Sequence, residues 1–218
     1  MITTIEQPNL ANLSSYETLL DYKRSIAEIY AQMRDPNLSV AEKWMIFRNR
    51  RDVLFQTHPQ SALSTEQKRL FQGLSYYPYD PKWRFVLPLD TDVEPSIIDI
   101  QLRHDGLTRL QRFGRVHFEA QGLSISLSLF WILGYGGGIF LPFRDLTNGY
   151  ETYGGGRYLL DTIKNADLGY EGDHIVVDFN FAYNPSCAYN PRWFCPLAPA
   201  ENRLPVAIPA GEMAYPES

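Results

Sequence analysis

Leu123-Ser-Ile-Ser-Leu-Ser-Leu129 alternates apolar and hydroxyl side chains without a break. That is the period of two expected of an extended strand with one buried face. The stretch decides the fold because it lies inside a charge-free span. No Asp, Glu, Lys or Arg occurs between Glu119 and Arg144, a length able to cross a bilayer as a helix. Such a helix would have to absorb Gly134, Gly136, Gly137, Gly138 and Pro142. The alternation and these breakers predict instead a β-hairpin, with strands near 122–133 and 139–146 joined through Leu133-Gly-Tyr-Gly-Gly-Gly138. No membrane partner is expected.

The same texture extends outward. Upstream, Gly114, Val116, Phe118 and Ala120 share one strand face, while Phe113, Arg115, His117 and Glu119 share the other. Further short runs predict strands near 83–89, 96–103, 108–120, 156–163 and 174–183. Tight links between seven such strands suggest an antiparallel meander that closes into a barrel or packs as a sandwich. Before residue 73 the rhythm is helical. Ser14 or Ser15 with Glu17, Ser39 with Glu42, and Ser64 with Gln67 are capping boxes, opening helices near 15–34, 40–57 and 65–72. Trp44, Phe47, Val53 and Leu54 form the expected core stripe of the second. Seven of the 15 prolines fall after Asn184, so the chain beyond it is expected to wrap the surface irregularly. The expected class is α+β, mainly β, in one domain over 1–218. It divides into a helical segment (1–73), an antiparallel body (74–183) and a Pro-rich wrap (184–218).

Charge argues against a nucleic-acid partner. The chain carries 20 Lys and Arg against 25 Asp and Glu, for a net charge of −5. Its densest basic group is only Arg48, Arg50 and Arg51 on one predicted helix, whereas phosphate-backbone binding needs an extended basic face. The first fifteen residues lack the basic and apolar regions of a secretory signal. With two cysteines in 218 residues, this predicts a reducing, cytoplasmic location.

Few motifs carry chemistry. In Tyr153-Gly-Gly-Gly-Arg-Tyr158, consecutive glycines let backbone N–H groups converge on an anion, with Arg157 adding a planar fork. The same residues equally suit a bulge at a strand start, with Arg157 paired to a carboxylate. Asp178 and Asn180, two apart in a predicted strand, would project from one face, either to grip a ligand or to meet solvent. Cys187 and Cys195 lack the spacing of a thioredoxin or zinc pair. They read as a redox-sensitive pair or as two buried thiols, and no metal site is expected. The histidines at 58, 104, 117 and 174 are scattered.

Phe140-Leu-Pro-Phe-Arg-Asp-Leu-Thr147, Glu151-Thr-Tyr-Gly-Gly-Gly-Arg-Tyr158, Val177-Asp-Phe-Asn-Phe-Ala-Tyr-Asn-Pro-Ser-Cys-Ala-Tyr189, Cys195-Pro196, Glu201-Asn-Arg-Leu204 and Ala210-Gly-Glu212 occur in this order. Together they resemble the prokaryotic family known as domain of unknown function 1684, and Phe71-Gln-Gly-Leu-Ser-Tyr-Tyr-Pro78 resembles its N-terminal part. The resemblance points to no particular reaction and leaves any cofactor unknown. It does mark Arg144, Asp145, Tyr153 to Tyr158, Asp178, Asn180, Tyr183, Asn184, Cys187 and Asn202 as positions matching the family pattern, with Met213 where that pattern has Lys. The leading expectation is a small polar or anionic ligand in a Tyr-lined pocket. Arg144 and Arg157 would be its anion donors, assisted by the amides of Gly154, Gly155 and Gly156. Asp178 and Asn180 would orient polar groups, Tyr153, Tyr158, Tyr183 and Tyr189 would form the walls, and Asp145, Asn184 and Asn202 complete the expected ligand-binding set. Two alternatives stand beside it: an enzyme with Asp178 as general base, and a ligand-free module in which the signature locks the Pro-rich wrap to the sheet.

Overall fold

Three serines start the three helices. In the computed structural model, which describes residues 10–102 and 106–216, α1 spans Ser15–Met33, α2 Val40–Thr57 and α3 Thr65–Leu70. Ser14, Ser39 and Ser64 each accept a hydrogen bond from the N–H three residues on. Glu17, Glu42 and Gln67 each accept one from the cap's own N–H in return. These reciprocal bonds satisfy donors that every helix start leaves open. The α2 stripe differs from expectation at one turn: Val53 is exposed, and Arg51 is buried beside Trp44, Phe47, Leu54 and Phe55. Positions 44, 47, 51, 54 and 55 keep the three-to-four spacing of one helix face. Residue 51 is therefore carried inside, and its charge must be met there.

Eight strands follow among the described residues: β1 Arg84–Leu87, β2 Ser96–Leu102, β3 Gly106–Ala120, β4 Leu123–Leu133, β5 Gly138–Phe143, β6 Arg157–Asp161, β7 Tyr170–Glu171 and β8 His174–Asp178. Strands β2 to β6 form an antiparallel meander in sequence order, and β1, β8 and β7 form a second antiparallel sheet in that order. The class is α+β with N-terminal helices and two antiparallel sheets. Among the described residues neither sheet closes on itself, which corrects the barrel alternative in favour of the sandwich. The expected single meander is also corrected. β1 leaves it and pairs with β8, Arg84 opposite Asp178. There Phe85 and Leu87 pack on the core between the sheets, and Val86 packs on the core beneath the helices. The predicted alternation of β3 holds, with Gly114, Val116, Phe118 and Ala120 buried and His117 and Glu119 exposed. The last residue of the expected 96–103 strand, His104 and residues 1–9 lie outside the described residues. No helix among those described is long and apolar enough to cross a membrane.

The C-terminal segment departs most from expectation. Its chain is irregular, as its prolines require, and residues 190–201 lie largely at the surface as expected, but the stretch from Leu204 to Glu212 does not. Leu204, Val206, Ile208, Ala210 and Glu212 are all buried, and the first four belong to the core between the sheets. Every second side chain points inward, as in a strand, but Pro205 and Pro209 have no N–H with which to build a ladder. Something else must satisfy this buried backbone.

Candidate functional site

Arg157, at the start of β6, supplies those donors. Its side chain is fully buried and pairs with the equally buried Asp145, Nη2 to Oδ2, at 2.7 Å. Its Nη1 and Nη2 also donate to carbonyls of the C-terminal segment: Ile208 at 3.0 Å, Glu212 at 3.3 Å, and Ala210. Asp145 in turn accepts from the Thr147 N–H and hydroxyl and from the Ile208 N–H. One ion pair thus replaces the missing ladder along three alternate residues. The glycines before it are shaped for this approach. Gly156 has φ of +94°, and a Cβ there would stand 2.5 Å from the Phe143 carbonyl oxygen. Its N–H is donated to the Tyr153 carbonyl, closing a turn. Gly154 and Gly155 belong to the same turn.

Asn202 does comparable work one turn of chain earlier. Ser128 of β4 and Pro142 of β5 stand where the β4–β5 register would continue, but Pro142 cannot donate. The Asn202 amide lies between them. Its Nδ2 donates to the Ser128 and Pro142 carbonyls at 2.9 and 2.8 Å, and its Oδ1 accepts from the Ser128 N–H at 2.9 Å. Arg144 joins this strap through its backbone, donating to Asn202 and accepting from Leu204.

Asp178 and Asn180 do not share a strand face, because β8 ends at Asp178 and Asn180 lies in the 3₁₀ turn Phe179–Phe181. They meet through the turn instead. Asp178 Oδ1 accepts from the Asn180 N–H and Nδ2, and its Oδ2 accepts from the Tyr79 hydroxyl at 3.1 Å. Asn180 bridges to the backbone of Asp80 in both directions. Burial raises the Asp178 carboxyl above its ordinary range. Three donors engage the carboxylate and cap this turn, and Asp178 also lines a cavity of about 220 Å³ with Arg34, Lys43 and Arg84.

A second buried ion pair lies under the helices. Arg51 Nη2 meets Glu212 Oε2 at 2.7 Å, and its Nε donates to the Tyr76 hydroxyl at 2.8 Å. Glu212 also accepts from the Tyr189 hydroxyl and from the Asn184 N–H. The guanidinium stacks over Phe47, Phe55 and Tyr183. Beside this network is a cavity of about 170 Å³ between α1, α2 and the 183–193 segment. Tyr22, Tyr30, Phe55, Tyr183, Tyr189 and Trp193 give it aromatic walls, and Lys23, Arg51 and Lys164 give it cations. No Asp or Glu among the described residues lines it. Arg51 and Lys164 are matched by Glu212 and Asp161, whereas Lys23 makes no ion pair with a described residue.

Among the described residues, five buried side-chain polar atoms have no hydrogen-bond partner: the Tyr30 and Tyr183 hydroxyls, Asn184 Oδ1, Trp83 Nε1 and Arg157 Nε. Three of the five belong to residues of this one cavity wall. An unmade buried bond costs about 1–3 kcal/mol.

The expected site residues therefore separate into three groups. Tyr183, Asn184 and Tyr189 line the cavity. Tyr153, Cys187 and Cys195 line a different, open groove against β2, and Trp193 borders both. Arg144, Asp145, the 154–156 turn, Arg157, Asp178, Asn180 and Asn202 hold the chain's crossings together. Tyr158 is buried, donates to the Pro196 carbonyl and packs edge-on against Tyr183, behind the cavity wall. Sequence reasoning missed Tyr22, Lys23, Tyr30, Arg51 and Lys164 as lining residues. The helical spacing of Arg51 with Trp44 and Phe47 was the one signal that could have found any of them.

The build defines a class: capped N-terminal helices over two open antiparallel sheets, with a C-terminal strap threaded through the core by buried Arg and Asn side chains. The family model described as "Protein of unknown function (DUF1684)" matches residues 69–213, and the chain belongs to that family. The solution NMR structure of an uncharacterised protein of Haloarcula marismortui is similar, with 36% sequence identity and a TM-score of 0.56. The match covers 76% of this chain and 89% of that one. No curated protein matches the chain significantly.

Proposed function

We propose that the protein binds a small anionic molecule with a flat apolar body in the cavity between α1, α2 and the 183–193 segment. The observation that carries this reading is the gathering of three partnerless buried polar atoms on residues of one wall. The lining adds selectivity: aromatic rings for an apolar body, three cations and no carboxylate for an anionic head, and hydroxyls and an amide to orient it. At about 170 Å³ the space suits a single ring with one or two substituents, since a cavity of ~150 Å³ admits benzene.

Tyr183→Phe separates binding from stability. In the unliganded protein it removes a hydroxyl that has no partner, so thermal stability is expected to hold or rise. Affinity for benzoate or 4-hydroxybenzoate, the probes titrated by calorimetry, is expected to fall about five- to tenfold, the equivalent of one hydrogen bond. Lys23→Gln should weaken the same probes without altering folding. Native mass spectrometry of protein purified without additives would show a retained small molecule that disappears on denaturation. A clean mass, no binding of either probe, and Tyr183→Phe indistinguishable from the parent in both measurements would overturn the reading.

A further inference from the structure

The groove against β2 holds both cysteines of the chain. Cys187 lies in the 3₁₀ turn Ser186–Ala188. The chain between it and Cys195 is pinned to the α2–α3 connection, where Arg192 donates to the Ser61 carbonyl at 3.1 Å and Trp193 Nε1 to the Ala62 carbonyl at 3.4 Å. This anchoring leaves both thiols free, partly exposed and lining the same groove. The Tyr153 hydroxyl donates to Cys187 Sγ at 3.5 Å. Two free thiols gathered on one open, mainly apolar groove, one of them hydrogen-bonded by a tyrosine, are more than structural thiols require.

We propose that Cys187 and Cys195 are a reversible redox pair, with Cys187 attacking a hydroperoxide and Cys195 resolving the product to an intramolecular disulfide. In the first step the Cys187 thiolate attacks the peroxide, a sulfur–oxygen bond forms and the oxygen–oxygen bond breaks. Cys187 becomes a sulfenic acid, and the alcohol or water leaves after taking up a proton. In the second step Cys195 sulfur displaces the hydroxyl of that sulfenic acid. A sulfur–sulfur bond forms, and water leaves with the Cys195 proton. Two thiols are oxidised by one peroxide, and a dithiol reductant reverses the change.

The surroundings assign the roles. A hydrogen bond from the Cys195 thiol, assisted against burial by Tyr153, brings the Cys187 thiol down to about 6, while the same contact raises that of Cys195. The titratable groups facing the pair are Tyr153, Tyr158 and Lys164, and the Lys164 charge favours the thiolate. Cys187, the thiol that the Tyr153 hydroxyl bonds, is thus the nucleophile, and Cys195 holds the proton that the second step needs.

The test treats the reduced, full-length protein with one equivalent of hydrogen peroxide, blocks remaining thiols and measures the denatured mass. The expected product is lighter by about 2 Da, takes up no blocking reagent, maps to a Cys187–Cys195 peptide and reverts with dithiothreitol. In Cys195→Ser the reaction should stop at a sulfenic acid on residue 187 that dimedone traps. In Cys187→Ser the remaining thiol should react at least about tenfold more slowly. Tyr153→Phe should move the pH midpoint of the reaction upward without preventing it. Disulfides formed only between chains, or equal reactivity of both thiols matching that of the urea-unfolded protein, would overturn the proposal. The wild-type mapping decides the matter even if a serine variant folds poorly.

Discussion

Arg157→Met is expected to cost about 3–5 kcal/mol, because it leaves Asp145 as a buried carboxylate without its counter-ion. For a chain of this size that corresponds to a fall in Tm of roughly 6–20 °C. Three carbonyls of the C-terminal strap lose their donor in the same step. The damage should therefore begin there, as early proteolysis between residues 203 and 216 while the helices stay intact. Adding Asp145→Asn removes the stranded charge but keeps an acceptor for Thr147 and Ile208. The double variant should consequently be less destabilised than Arg157→Met alone. A thermal melt of the three proteins checks this. If Arg157→Met melted within about 2 °C of the parent, the strap would not depend on the ion pair.

The second large effect belongs to the pair beneath the helices. Arg51→Met strands Glu212, buried and still facing Tyr189 and Asn184, and should cost about 3–5 kcal/mol at pH 7. Here the loss depends on pH. Burial already raises the Glu212 carboxyl above its ordinary range, with Arg51 opposing that rise. Removing the cation lifts it further. A carboxyl whose folded pKa lies above its unfolded one favours the folded state as pH falls through that value, and disfavours it as pH rises. Arg51→Met should thus recover part of its stability between pH 7 and pH 5. Adding Glu212→Gln should restore stability at pH 7 and flatten this dependence. Urea denaturation at both pH values measures both expectations, and an Arg51→Met stability that falls on acidification would contradict them.

These two ion pairs also link the strap to the cavity. Glu212 is the last buried residue of the segment that Arg157 holds, and it positions both Arg51 and Asn184 at the cavity wall. Loosening the strap should therefore weaken binding in the cavity even though Arg157 lies outside it.

How much of this was legible beforehand follows the range of the interactions. The helix starts were legible because a capping box joins residues three apart, and the β3–β4 hairpin because its alternation is complete within each strand. The α+β class followed from the same local periods. The pairing of β1 with β8 was not legible: both strands are short and apolar, and which partner each takes depends on the cores that form on either side. Asp178 and Asn180 looked like strand neighbours because spacing alone does not show where β8 gives way to a 3₁₀ turn.

The motif residues were legible as a set, but their division of labour was not. Arg157 beside three glycines is compatible with an anion cradle or with a buried ion pair, and the choice rests on Asp145 and on carbonyls some fifty residues later. The prolines determined that the C-terminal segment would not join a sheet. Only the tertiary structure decided that it would run through the core, because burying Leu204, Val206, Ile208 and Ala210 outweighs leaving them at the surface once Arg157 and Asn202 supply the missing hydrogen bonds. The cavity, likewise, belongs to no segment. It arises where two helix faces meet the 183–193 chain, and local sequence carries no record of that meeting.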